Sequence, residues 1–139
     1  GCATAPAPLR GEFPAIDPVD GATHAGTFVR WGGTIAAVEP GAGHTCFQVV
    51  GRPLGADARP IDGDRTTGRF LACREGFYDP AVFAQGRELT VTGRIDGTED
   101  REIGAYLYRH PRVDADRIYL WPERRDTVIY PPAYRPWYW

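Results

Sequence analysis

A chain of 139 residues with 42% apolar content is the size of one domain and can bury a core without a metal to staple it. Its formal net charge is −2, from 16 basic and 18 acidic residues that are interspersed along the chain, so no basic stripe exists to neutralise phosphates and nucleic acid is not an expected partner. Every basic residue is Arg, and Lys, Ser, Asn and Met are absent, which excludes a serine nucleophile, a Schiff-base lysine and a P-loop lysine together.

No apolar run approaches the roughly 20 residues a spanning helix needs, so any membrane attachment must use other means. Gly1-Cys2 followed by ATAPAPL has the form of a processed bacterial lipoprotein start. Cys2 is the expected acylation site, with acyl chains holding the protein at a membrane; an ordinary N-terminal cysteine is the plain alternative. Ala3 stands where an Asp favours inner-membrane retention, so the outer membrane is the expected address. Residues 1–26 carry Pro6, Pro8, Pro14 and Pro18 among small and polar residues and read as a proline-stiffened tether able to lift the domain tens of ångströms, at up to ~3.3 Å per residue. Leu9, Phe13, Ile16 and Val19 leave a second option open, in which this segment docks on the domain as an extended strip.

Residues 27–125 are the expected domain. Phe28 to Val38 alternates as a strand, with Val29, Trp31, Ile35 and Ala37 on one face, and Gly32-Gly33 predict a bulge or bend within it. A Pro-Gly loop follows, then a returning strand from His44 to Pro53. Leu54 to Thr67 reads as a polar, solvated loop. Arg69 to Arg74 is the third strand, and Asp79-Pro80 opens one short helical turn, Asp79 as cap and Pro80 at the first helical position. From Glu88 to Asp96, Leu89, Val91 and Ile95 face one way, with Gly93 in register, and charged and Thr side chains the other, a half-buried strand. Thr98 to Glu102 reads as a charged turn, Ile103 to Tyr108 as a further strand broken by His110-Pro111, and Arg117 to Pro122 as the last. The sum is an all-β fold, a small five- to six-stranded antiparallel OB-like Greek-key barrel with one helical turn. Residues 126–139 form a tail with three Pro and five Tyr or Trp; either its rings cover the barrel or they rest at a headgroup interface or on a partner.

Cys46 and Cys73 fall on strands expected to be neighbours, and a disulfide is the natural inference in an oxidising compartment. Free buried thiols and a metal site are the alternatives, although two Cys with His44 fall short of a structural zinc set. The remaining histidines, His24 and His110, have no companions at ligand spacing, and no acid/base pair of carboxylates is assigned. Neither a cofactor nor a catalytic residue is expected.

Gly32-Gly33-Thr34-Ile35, Gly68-Arg69-Phe70-Leu71-Ala72, Gly76-Phe77-Tyr78-Asp79-Pro80, Thr90-Val91-Thr92-Gly93-Arg94-Ile95 and Tyr119-Leu120-Trp121 together resemble the Slp family of starvation-inducible outer-membrane lipoproteins. The likeness covers Phe28 to Trp121, about two thirds of the chain, and Cys2 and the aromatic tail agree with it. It implies a location, the periplasm-facing side of the outer membrane under stationary-phase or stress conditions, and no catalytic residues. Cys46 and Cys73 depart from the family pattern. The expected function is therefore a non-enzymatic envelope lipoprotein that binds a protein, glycan or lipid partner. Trp31, Tyr106, Tyr108, Tyr134, Trp137, Tyr138 and Trp139 are the candidate partner surface. An OB-fold binder of oligosaccharide or another small envelope ligand is the alternative, and a thiol-redox enzyme using the Cys pair is a third class, which needs an exposed thiol of low pKa.

Overall fold

In a computed structural model that describes residues 4–124, five strands close into one barrel: β1 Phe28–Pro40, β2 His44–Arg52, β3 Gly68–Glu75, β4 Glu88–Ile103 and β5 Tyr106–Leu120. Their order around the barrel is β1-β2-β3-β5-β4, the Greek-key order of an OB-like fold. All pairings are antiparallel except the closing contact of β3 with β5, which is parallel over Leu71–Cys73 and Arg112–Asp114. That one pair amends the expected all-antiparallel order.

Alternation fills the barrel as the sequence predicts. Val29, Trp31, Ile35, Phe47, Val49, Phe70, Ala72, Leu89, Val91, Ile95 and Val113 are buried in one cluster. The bulge, however, lies elsewhere than expected. Gly32 and Gly33 pair without interruption on both sides, and a Cβ on Gly33 would overlap the backbone carbonyl of Val50. These glycines let β1 approach its neighbours. The slip falls between Ile35 and Ala37, and it reverses the parity, so that Val38 opposite Phe47 continues the inner face in place of Ala37.

The largest departure is in the last third. Thr98 to Glu102 is no turn: β4 runs through it to Ile103, and β5 returns from Tyr106 without breaking at His110-Pro111. The reversal is the two-residue loop Gly104-Ala105, where Gly104 adopts φ +61°, as tight hairpin loops require. Pro111 stays in the strand opposite Thr98, beside a register slip between Ile95 and Gly97. A proline with no N–H to give is tolerated where the ladder is already irregular. The expected helical turn is present at Asp79, whose Oδ1 accepts from Ala81 N at 2.9 Å and whose carbonyl accepts from Phe83 N at 2.9 Å.

Of the two options for the first segment, the residues from Thr4 onward take the docked one. They form two short 3-10 helices, Ala7–Leu9 and Pro18–Thr23. Leu9 is fully buried and Ala5 nearly so. Arg30 donates to the Leu9 carbonyl at 2.9 Å and the Trp31 indole to the Ile16 carbonyl at 2.6 Å. Leu54 to Thr67 is likewise only partly solvated, because Ala58 is fully buried and its carbonyl accepts from Thr90 Oγ1 at 2.7 Å.

Candidate functional site

The extended parts of β4 and β5 make an arm that carries two of the candidate aromatics. Tyr106 is 65% and Leu107 59% exposed at its tip, and Tyr106 and Tyr108 meet edge to face with ring centroids 6.1 Å apart. The arm is held over the outside of β1 and β2. Arg101 grips Glu39 with both ends of its guanidinium, Nε to Oε2 at 2.8 Å and Nη2 to Oε1 at 2.9 Å, while Gln48 donates to the same carboxylate at 2.5 Å. This bidentate bond holds the Glu39 carboxyl below the usual carboxylate range. Arg112 at the root of the arm pairs with Asp96 at 2.6 Å and Glu99 at 3.1 Å. On an OB barrel the strand 2–3 face takes oligonucleotides and oligosaccharides; here the chain's own arm reaches that side through Gln48, and Arg69 N donates to the Tyr108 hydroxyl at 3.4 Å.

His110 is buried where the arm meets the barrel. Its Nδ1 donates to the Tyr108 carbonyl at 2.9 Å, since a carbonyl only accepts, so the neutral ring leaves Nε2 without a proton and without a partner among the described residues. Burial pushes its pKa below the ordinary imidazole value, with the nearby Arg69 and Arg101 acting in the same direction and Glu39 and the Tyr108 bond opposing. The unfolded chain therefore takes up a proton more readily than the folded one. Stability is intact above about pH 6.5 and falls as pH drops below it. Thermal melts at pH 7.5 and 5.5 are expected to show this loss in the wild type and a flatter response in His110→Phe, which keeps the ring packed on Tyr108. Glu39 adds a second loss at lower pH, because a depressed carboxyl contributes above its unfolded pKa and fails as pH falls through its folded one.

Cys46 and Cys73 are direct cross-strand partners and form a disulfide, with Cα atoms 4.0 Å apart. They lie on the outer side of the sheet, opposite in sense to Phe47 and Ala72, and bury a small cluster with Leu71. Beside them a shallow cavity of about 280 Å³ is lined by His44, Arg74, Glu75, Arg112 and Asp114. With both sulfurs bonded to each other, neither is a thiolate. Among the described residues no group of three His, Cys, Asp or Glu is placed to hold a metal ion, and no helix is long and apolar enough to cross a membrane.

Trp31 is a correction. It is 4% exposed, packs on Phe70 at 5.3 Å inside the barrel, and so is no part of a partner surface. Cys2, Tyr134, Trp137, Tyr138 and Trp139 lie outside the described residues. Trp121, which the sequence offered as the end of a strand and as part of the family resemblance, organises a second patch on the outside of β4. It is buried with Ala5, Leu9 and Ala58, its indole donates to Thr90 Oγ1 at 2.8 Å, and Arg59 stacks over its ring at 5.5 Å. The signal for the arm was in the sequence as charge complementarity, Asp100 against Arg109 and Glu99 against Arg112, the pattern of facing strands. No comparable signal marked the patch, whose members are far apart in sequence.

The whole chain, residues 1–139, matches the family model described as "Outer membrane lipoprotein Slp family". It is 30% identical to the uncharacterized lipoprotein YeaY of Escherichia coli (strain K12), covering 100% of this chain and 75% of that protein. It is 29% identical to the outer membrane protein Slp of the same organism, over 70% of this chain and 52% of that one. Among solved structures, a small single-stranded DNA-binding protein from Streptomyces coelicolor superposes with a TM-score of 0.42 at 16% identity, covering 68% of this chain and 94% of that chain.

Proposed function

We propose a function from one premise: this chain belongs to the outer membrane lipoprotein Slp family, and it is an envelope lipoprotein of the outer membrane. On our reading Cys2 carries the acyl chains, and the barrel faces the periplasm as a non-catalytic binding or structural module of the stress-exposed envelope. The family match across residues 1–139 is the observation that carries this, since it includes the position whose thiol the anchor needs. Two or more acyl chains, at about 0.8 kcal/mol per buried CH₂, make such attachment stable where a single chain would bind only reversibly. The non-catalytic part is supported by the cysteine pair, bound to itself, and by a chain without Ser or Lys.

The partner surface on this proposal is the tip of the arm. Tyr106 and Leu107 are large and apolar yet mostly exposed, on a hairpin fastened at its flank by Arg101 and Glu39, and rigid aromatic anchors are what protein and glycan partners engage. The same tyrosine pair is the stacking platform that an oligosaccharide binder would need.

The anchor is tested in the full-length precursor. Cys2→Ala is expected to move the protein from the outer-membrane fraction to the soluble periplasmic one; unchanged outer-membrane fractionation would remove Cys2 from its role.

A further inference from the structure

We propose that a cleft on the outside of β1, between the docked first segment and the chain leaving β2, binds a small organic anion. The ligand is an apolar body carrying a carboxylate or phosphate oxyanion, which Arg30 and Arg52 receive. Strand parity brings these two arginines together. Val29 and Trp31 face the core, so Arg30 and Gly32 face outward, and Arg52 is the direct partner of Gly32 on β2. Arg30 and Arg52 are therefore diagonal neighbours on one face, about 7–8 Å apart at the backbone, with only a glycine between them. A Cβ on Gly32 would meet Leu54 at 3.0 Å and the Leu89 carbonyl at 2.7 Å, so Leu54 comes down onto the strand beside the two arginines.

The cleft has a volume of about 320 Å³, at the lower end of the range of small-molecule sites. Phe13, Pro14 and Ile16 line it from the first segment, and Pro53 and Leu54 from the chain after β2. Both guanidinia are held in place without being neutralised. Arg30 stacks on Phe13 at 5.0 Å and donates through Nη1 to the Leu9 carbonyl at 2.9 Å. Arg52 donates through Nε to Thr34 Oγ1 at 3.1 Å and through Nη1 to the Gly63 carbonyl. Nη2 of each has no acceptor among the described residues. Neither arginine forms an ion pair among those residues, whereas Arg59, Arg101, Arg109, Arg112 and Arg124 all do. A half-buried cation without a counter-ion attracts an anion more strongly than one in free solvent, and guanidinium donors fit the oxygens of carboxylate and phosphate. Asp17 is the one carboxylate lining the cleft, and it is exposed, so the lining keeps a net positive charge. The apolar residues set the rest of the ligand: an inorganic ion leaves them wet, whereas an apolar body removes them from water. Tyr106 and Leu107 do not line this cleft, which makes it a site separate from the tip of the arm.

The test is equilibrium dialysis of the full chain in mild detergent against labelled benzoate and phenyl phosphate. Benzamide serves as the neutral analogue of benzoate, and inorganic phosphate as an oxyanion without a body. Benzoate, phenyl phosphate or both are expected to bind at one equivalent with a dissociation constant of about 1 mM or below. That is roughly tenfold or more tighter than benzamide or inorganic phosphate, as loss of a hydrogen-bonded charge implies, and the tighter of the two anions names the oxyanion. Arg52→Gln is expected to weaken binding by about tenfold or more, while Tyr106→Ala leaves it unchanged. Asp17→Asn is expected to tighten it by about two- to fivefold, the effect of one solvent-screened charge. Benzamide binding as tightly as benzoate overturns the inference and leaves an apolar groove; this comparison needs no variant, so it decides the matter even where Arg52→Gln does not fold. Absence of binding by either anion, an unchanged constant in folded Arg52→Gln, or loss of binding in Tyr106→Ala overturns it as well.

Discussion

Replacing Trp31 with Ala is expected to lower the unfolding free energy by about 3–5 kcal/mol, the usual cost of removing a large aromatic from a core. The ring is 4% exposed, sits on β1 and packs against Phe70 at 5.3 Å, so its loss leaves a cavity between strands on opposite sides of the barrel. It also removes the indole donor that fixes the Ile16 carbonyl at 2.6 Å, which releases part of the docked first segment. Urea unfolding reads the effect as a lower midpoint at an unchanged slope. Trp31→Phe separates the two contributions, since it retains most of the packing and gives up only the hydrogen bond, at about 1 kcal/mol. An unfolding free energy for Trp31→Ala within about 0.5 kcal/mol of wild type would return Trp31 to the surface and to the candidate ligand-binding rings.

Cys46→Ala is expected to cost about 3–4 kcal/mol under oxidising conditions, because the disulfide closes a loop with a sequence separation of 27 and constrains the unfolded chain accordingly. For a domain of this size that lowers the melting temperature by on the order of 10 °C. With a reductant strong enough to open the bond, the wild type is expected to melt close to the variant. An equal difference between the two proteins in oxidising and reducing buffer would assign the effect to packing against Leu71, with which both cysteines are buried. The bond staples β2 to β3 on the outer side of the barrel, where no large side-chain cluster holds them, so its contribution is not duplicated by the core.

Both predictions turn on which side of a strand a residue occupies, and most of that was legible in the sequence. Alternation in Leu89, Val91 and Ile95, and in Phe47 and Val49, put those residues inside, whereas Phe70-Leu71-Ala72-Cys73 is an unbroken apolar run whose faces are set only by its pairing with β2. Parity set Cys46 opposite in sense to Phe47, and the register of β2 on β3 puts Cys73 directly beside it on the outer side, where they pair. Parity also placed Trp31 with Val29 and Ile35, on what proved to be the core face, yet a Tyr or Trp on a barrel strand reads as a stacking ring as readily as a core one. Only closure of the barrel, which brings Phe70 onto it, decides between them.

The sequence by itself determined the fold class, the strand list as far as Ile95, the helical turn at Asp79, the cysteine pairing and the family. Each of these depends on local period, on turn chemistry or on residues that pairing makes adjacent. The tertiary structure decided what local signals cannot carry. The run Thr98 to Glu102 is polar on both faces, so nothing in its pattern distinguishes a turn from a two-sided strand until its charges meet Arg109, Arg112 and Glu39. Proline-rich residues 4–26 are equally compatible with a tether and a docked strip. They dock because Leu9 finds Trp121 and Ala58, more than a hundred and about fifty residues away in the chain, and a contact of that range has no periodicity to announce it.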